Sequence, residues 1–498
     1  MLKIIAAIGA IQIIAIAITF IRSKTIAVLL GPEGVGIISI IDQIIQLVAQ
    51  LSAFSLPFAA VKFLSRSHSQ GFEVFKQSYG NLLRLLLLLT MTGAAIGLLI
   101  VLVYPTLLGQ HLQQYQMLIV IGLVSIPLIT MQGFLKNVLA AAQRVKEAAL
   151  MDVGIALVIT TMVCIGVAIA GVQGFYIGNL IAGFLIVGIT LFYFKQNLHL
   201  PIFGTRNSIR QELRKNPDIV SFSLLLYGSA FLHPLAYFVT RYAILKNFGE
   251  VEAGLLQAAI ALASVLNLIL NPANGLYLTP ILNRDIPKAE KLQAALAFQE
   301  KLAIVTVTLA MPMVLFSQWL VVLLFSHAFI KVGSVIFIFV IAQYIIQLAG
   351  VNQALIIGLN DLKIYGIVIA TGHFVFGVSG WFLSPYYGLA GIGLGLLISN
   401  MVIFFVTMAQ LCFRHGLKPS LRLVGIMTYG LISLFFAGSF FSYTDPSAPL
   451  IIAIKFGCEV VFSTSLFFCL KRKDQLKLLN QARLLLRIPN AIELRRKK

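Results

Sequence analysis

A chain of 498 residues that is 59% hydrophobic and only 11% charged, with apolar runs of twenty or more recurring from end to end, has the composition of a membrane protein. It leaves no room for a water-soluble domain and predicts an all-α, polytopic membrane fold with about 14 transmembrane helices. The net charge of +20 does not indicate nucleic acid, because the basic residues lie in short connections between apolar runs.

The four cysteines, Cys164, Cys412, Cys458 and Cys469, have neither metal-knuckle nor disulfide-framework spacing and read as packing residues. No metal is expected. The opening Met1-Leu2-Lys3 and its apolar run exceed a signal-peptide core and lack a small-residue cleavage site, so they read as the first span. In chain order the predicted spans are Ile4–Leu30, Val35–Leu64, Leu82–Tyr104, Gln116–Ala142, Ala148–Ala170, Gly174–Phe194, Ile219–Leu245, Ala253–Leu282, Leu302–Phe325, Val332–Leu359, Ile364–Leu383, Gly388–Cys412, Val424–Phe441 and Leu450–Leu470. Placing both termini in the cytoplasm leaves only Arg22, Lys24, Lys136, Arg241, Lys246, Lys331 and Lys455, of 37 lysines and arginines, away from the inner side. The positive-inside rule therefore favours that orientation.

One stretch is written twice. FIRSKTIAVLLGPEGVG, residues 20–36, puts Arg22 nine residues before Gly31; TRYAILKNFGEVEAG, residues 240–254, puts Arg241 eight before Gly249. Gln143-Arg-Val-Lys146 matches Asn360-Asp-Leu-Lys363, and the glycines Gly171, Gly174 and Gly178 match Gly388, Gly391 and Gly395. The common offset of 217 to 219 residues predicts two parallel six-helix repeats plus two extra C-terminal helices. The expected units are an N-terminal bundle over 1–215, a C-terminal bundle over 216–420, transmembrane helices 13 and 14 over 421–470, and a basic amphipathic cytoplasmic tail over 471–498. An axis along the membrane normal would relate the halves, with a site at their interface.

Helical spacing supplies candidates for that site. Ser229, His233, Tyr237, Thr240 and Arg241 share one side of span seven, and Gln257, Ser264, Asn267, Asn271 and Asn274 one side of span eight. Gln12, Thr19 and Ser23 mark span one, and Ser39, Asp42, Gln43, Gln46 and Gln50 mark span two. Such stripes are expected to face each other or a water-filled cavity, although amides on membrane helices also serve as interhelical glue. Arg22 and Arg241 stand out. Eight or nine helical residues place each about 12 to 13 Å from its turn, deep in a core about 30 Å thick, where an arginine costs about 2.5 to 3.5 kcal/mol even on the lenient scale. Asp42 reads either as a salt-bridge partner of Arg22 or as a carrier of a coupling cation. Lys24 reads either as a ligand contact or as a snorkelling anchor. His233 is a hydrogen-bonding cavity residue with protonation as a second role, and Lys455 and Glu459, four apart, read as a private ion pair.

Two guanidiniums in a neutral, amide-rich cavity suit a compact polyanion such as phosphate, while Asn, Gln, Ser and Tyr suit sugar hydroxyls. A lipid-linked sugar pyrophosphate has both parts. Arg22 with Leu30-Gly31-Pro32-Glu33-Gly34-Val35-Gly36, and the echo around Gly249, resembles the first- and seventh-span motifs of the bacterial polysaccharide transporter family, the O-antigen and exopolysaccharide flippases. These share a superfamily, the multidrug/oligosaccharidyl-lipid/polysaccharide exporters, with multidrug and toxin extrusion transporters and the lipid II flippase. The resemblance, over roughly residues 1 to 420, implies a non-enzymatic flippase of the bacterial inner membrane. Its cargo would be an undecaprenyl-pyrophosphate-linked oligosaccharide of lipopolysaccharide or exopolysaccharide synthesis, moved by alternating access. It assigns Arg22 as the first-span cavity arginine and Arg241 as its seventh-span counterpart, with no cofactor beyond a possible coupling ion, H+ or Na+. The expected site is thus Arg22, Arg241, Lys24, Asp42, Gln46, His233, Tyr237, Asn267 and Asn271.

The alternatives are a multidrug extrusion-type transporter, which needs acidic groups where this chain offers Asp42 alone, and a lipid II flippase. Against the latter, Gln46-Leu-Val-Ala-Gln50 carries no arginine before Ser52-Ala-Phe-Ser55. A membrane glycosyltransferase, polymerase or ligase would need a large acidic loop that the spans do not leave. The tail, with leucines at helical spacing among its basic residues, fits the anionic inner leaflet, with docking to other polysaccharide biosynthesis proteins as a second use.

Overall fold

The computed structural model describes residues 2–201, 218–284, 286–441, 444 and 448–469; the tail and Gln12's side chain lie outside what is described. The described chain is helical throughout, and its long helices are α1 (Leu2–Ala53), α2 (Leu56–Gln70), α3 (Phe72–Val103), α4 (Gln116–Val124), α5 (Ile126–Ala141), α6 (Val145–Asn197), α7 (Asp218–Ala263), α8 (Val265–Ala273), α9 (Lys288–Leu315), α10 (Ser317–Leu324), α11 (Ile336–Gly358), α12 (Leu362–His415), α13 (Leu421–Phe441) and α14 (Pro449–Cys469). Among the described residues, nine helical segments are long and apolar enough to cross a membrane. Four of these, containing α1, α6, α7 and α12, are each broken in the middle and carry two spans; together with the 21-residue α14 this gives the fourteen spans expected.

The breaks carry the duplication into the backbone. Gly31 (φ 64°, ψ −173°) and Gly249 (φ 85°, ψ −175°) occupy the same region of conformational space, one open to glycine alone. Gly171 (φ 56°, ψ −134°) and Gly388 (φ 53°, ψ −128°) form a second matched pair, and Gln143 (φ 60°) and Asn360 (φ 66°) a third. Pro32 follows Gly31 directly, where a helix start tolerates a residue without an N–H. Six unusual residues paired at offsets of 217 or 218 cannot come from shared hydrophobicity, so the two six-helix repeats are seen in geometry as well as in sequence.

The repeats meet most closely at the end carrying the Gly31 and Gly249 turns. A methyl group on Gly36 would lie 1.9 Å from the Glu250 carbonyl oxygen, and one on Gly254 would lie 1.8 Å from that of Pro32. Gly36 and Gly254 are 218 apart, as are Pro32 and Glu250, so one contact is made twice across the repeat axis. Only a hydrogen in place of a side chain permits that approach. Buried Ile38, Ile41 and Ile45 of α1 and Leu255, Ala259 and Leu262 of α7 continue the seam in one apolar core. The extra helix α13 packs by Gly430 on Val307 and Tyr344, and by Gly438 on Phe337, adding a layer to the second repeat alone.

Three expectations need correction. Span two does not run to Leu64: Phe54 (φ 53°) and Ser55 (φ 54°) turn the chain left-handed, and α2 starts afresh with Pro57 in its first turn, so that proline opens a helix instead of bending one. Span nine begins earlier, at Lys288, and ends at Leu315, with α10 separate. Span eight ends at Leu282 as expected but is not one regular helix: it breaks after Ala263 and passes through a π-helical turn, Asn274–Leu278, before its last segment, Thr279–Leu282.

Space around Gly31 and Gly249 is open: a methyl group on either would meet nothing within 4 Å, so a substitution there tests backbone conformation alone. Gly31→Ala and Gly249→Ala are each expected to cost about 1–3 kcal/mol, read as a lowered melting temperature of the detergent-solubilised protein, whereas Gly133→Ala, on a regular helix with equal space, should not.

Candidate substrate cavity

Arg241 lies eight residues before Gly249 and Gln257 eight after it. Because the helix doubles back at that glycine, the two side chains come level, and Arg241 Nη2 donates to Gln257 Oε1 at 2.6 Å. The guanidinium carbon sits 5.4 Å from the centre of the Tyr237 ring, one turn earlier on the same helix. Arg241 is 4% exposed, and its Nε and Nη1 have no hydrogen-bonding partner among the described residues. A buried arginine with two idle donors holds binding capacity in reserve, since leaving donors unpaired away from water is costly.

Asp42 is held from the other side. The Tyr176 hydroxyl, on α6, lies 3.2 Å from Asp42 Oδ1 and 3.3 Å from the Ile38 carbonyl oxygen. Both Arg22 and Arg241 come within electrostatic range of this carboxylate, the acidic side chain common to the surroundings of the two cations. Neither arginine forms a salt bridge with a carboxylate within 4 Å among the described residues. The plain Arg22–Asp42 salt bridge is therefore absent among the described residues.

The two arginines are not symmetry equivalents. The offset of 218 that pairs Gly31 with Gly249 puts Ser23 opposite Arg241 and Thr240 opposite Arg22; one residue is about 100° on a helix. Arg241 consequently lies buried within its own hairpin, while Arg22 is half-buried.

Other expected residues disperse. Lys24 Nζ donates to the carbonyls of Leu323 at 2.6 Å and Val322 at 3.3 Å, a clasp between the first span and the last turn of α10. Gln46 is exposed, and its Oε1 lies 3.5 Å from Gln43 Nε2. His233 stands 4.7 Å, ring centre to ring centre, from both Tyr237 and His373. Asn267 and Asn271 turn toward α11 of their own repeat: Asn267 Nδ2 donates to Gln343 Oε1 at 2.7 Å, and Gln347 Nε2 reaches both Asn267 Oδ1 and Asn271 Oδ1. Of the two expectations for this stripe, facing the other stripes or a water-filled cavity, the structure follows the second: Asn267, Asn271 and Asn274 line a cavity within their own repeat.

Outside the site, Lys136 pairs with Asp152 at 2.7 Å. Lys455 and Glu459 do not pair: Lys455 stands over the Phe441 ring and Glu459 accepts from Ser463. Among the described residues no three His, Cys, Asp or Glu side chains converge as metal ligands would. Sequence reading missed Tyr176, Gln343, Gln347 and His373. Tyr176 lies inside the repeated Gly174/Gly178 motif, a usable signal; the others carry none, because their partners are chosen by packing between distant spans.

These features define a multi-pass helical membrane protein of two parallel repeats with charged and amide groups buried near their seam. The chain belongs to the polysaccharide biosynthesis protein family, whose model matches residues 1–284, a region that takes in Arg22, Asp42, Arg241 and Gln257. No curated protein sequence matches it. Among solved structures it is similar to the lipid II flippase MurJ in an inward closed conformation (TM-score 0.68, 13% identity, covering 92% of this chain and 98% of that one). It is also similar to an inward-facing multidrug resistance MATE family transporter of the MOP superfamily (TM-score 0.61, 14% identity, 86% and 99%) and to a MATE transporter in a bent conformation (TM-score 0.56, 14% identity, 86% and 96%). At such identities the likeness is one of fold.

Gln257→Leu removes the side chain that accepts from the Arg241 guanidinium and is expected to lower stability by about 1.5–3 kcal/mol, the usual worth of a hydrogen bond to a charged group. Adding Arg241→Met should recover part of that loss, as a double-mutant cycle on thermal unfolding would show.

Proposed function

We propose that the protein is a flippase that carries an undecaprenyl-pyrophosphate-linked oligosaccharide, a repeat unit of a surface polysaccharide, across the bacterial inner membrane by alternating access. The carrying observation is a charge group at the seam: Arg22 and Arg241, from different repeats, lie within electrostatic range of one carboxylate, Asp42, and buried Arg241 keeps two donor nitrogens unpaired among the described residues. A pyrophosphate supplies the acceptors those donors lack and enough negative charge to displace Asp42 as their counter-ion. Family membership supports a place in polysaccharide synthesis, and the fold likeness to MurJ supports a lipid-linked cargo whose polyprenyl tail stays in the bilayer.

In this reading Arg22 and Arg241 bind the pyrophosphate, Asp42 replaces it after release, and Tyr176 holds Asp42 in position. With both termini in the cytoplasm, the glycine seam at the Gly31 and Gly249 turns closes the outer side, and its parting would expose the cargo outward. A drug exporter is less well supported, since a cationic substrate would meet a net positive charge group. A coupling ion, H+ or Na+, would act through Asp42 in this scheme, by relieving its attraction to the arginines when the site empties.

Arg22→Gln is expected to abolish head-group translocation in reconstituted vesicles while leaving membrane insertion intact; unaltered polymer export in cells carrying only that variant would refute the assignment. Asp42→Asn should tighten binding of undecaprenyl pyrophosphate severalfold and slow its release, measured by filter binding and by single-turnover transport; weaker binding would remove Asp42 from this role.

A further inference from the structure

A polar cavity lies inside the C-terminal repeat, about 420 Å3 in volume, between the end of span eight, α11 and the start of α12. Asn267, Asn271, Asn274, Gln347, Gln353 and Tyr365 supply its polar wall, and no charged side chain lines it. Part of this polarity is structural. Asn267, Asn271, Gln343 and Gln347 bond one another across the α8–α11 contact, as amides between membrane helices commonly do.

The remainder has no such employment. Among the described residues Asn274 Oδ1 is buried without a partner, and no hydrogen bond engages the Gln353 amide or the Tyr365 hydroxyl, although both line the cavity. The backbone is shaped around it as well. Asn274–Leu278 forms a π-helical turn, an arrangement that recurs at functional sites, and Gly350 has only a hydrogen where a methyl would come within 3.3 Å of Asn274 Nδ2. Polar groups that line a cavity near the span ends without holding helices together are available to a ligand or an aqueous path.

We infer that this cavity is a sugar subsite: it binds uncharged sugar residues of the lipid-linked cargo, through amide and hydroxyl donors and acceptors, while the arginines hold the pyrophosphate. The inference rests on the flippase reading and names the part of the substrate this cavity takes. Uncharged lining selects neutral hexose or N-acetylhexosamine units, because an acidic sugar would find no cation here. Spacing agrees. Asn267 and Asn274 follow Gln257, the partner of Arg241, by ten and seventeen residues on the same span, roughly 15–25 Å of helix, so a short oligosaccharide can reach the cavity from the charge group.

Gln353→Leu and Tyr365→Phe test this cleanly, since neither side chain holds another part of the protein by a hydrogen bond and a purely structural cavity predicts no effect on ligand binding. The purified variants and wild type would be compared for binding of two probes: bare undecaprenyl pyrophosphate, and the lipid-linked oligosaccharide pool extracted from cells that natively make the protein. The double variant is expected to bind the glycosylated pool about tenfold more weakly, equal to about 1.4 kcal/mol, with binding of the bare probe unchanged. Unchanged affinity for both probes, or an equal loss for both, overturns the sugar subsite, as does a wild type that binds the bare probe as tightly as the glycosylated one. A wild type that binds neither overturns the flippase reading, and the subsite with it.

Discussion

The structure depends on a backbone contact made twice: Gly36 against the Glu250 carbonyl and Gly254 against the Pro32 carbonyl. In lipid there is little hydrophobic force to hold helices together, so close van der Waals approach and polar contacts must do it. The two glycines bring the repeats together at one end, and the isoleucine- and leucine-rich faces of α1 and α7 continue the seam. Arg22, Asp42 and Arg241 all lie within a few turns of that contact, and its geometry fixes which of them see one another.

These three groups illustrate what the seam imposes. A close salt bridge would neutralise one cation and leave the other alone. Instead Tyr176 holds the carboxylate within electrostatic range of both, and Gln257 and the Tyr237 ring support Arg241 without discharging it. In the proposed flippase such a group is poised between an internal counter-ion and an external one. Amide-rich packing in the C-terminal repeat provides a different environment, neutral and dense in donors and acceptors, roughly fifteen or more ångströms along the same span.

Much of the architecture could be read from the chain because the signals were local. Gly31, Gly249, Gly171 and Gly388 mark backbone turns that other residues resist, and their constant offset gives the duplication away. Arg22 and Arg241 are conspicuous because charge at that depth is rare. What was illegible depends on partners far apart in sequence: nothing in periodicity tells Asn267 to choose Gln343 over the opposite repeat, or Lys24 to clasp the carbonyls of α10. The left-handed turn at Phe54 and Ser55 was hidden because neither residue type announces it. The one-residue difference between the two arginine spacings was visible, and it carried more meaning than a near-match suggests, since it rotates one guanidinium away from the other's position.

The reciprocal glycine contact also has a bearing on biosynthesis. Its two partners are separated by more than two hundred residues, so the N-terminal repeat must enter the bilayer with its mating surface unoccupied and wait until residue 254 has been inserted. Contacts of such long range are late and slow to form. During that interval Arg22 and Asp42 lack the neighbours supplied by the second repeat, which makes the half-synthesised chain the stage most exposed to quality-control proteases and to insertases that shelter polar faces.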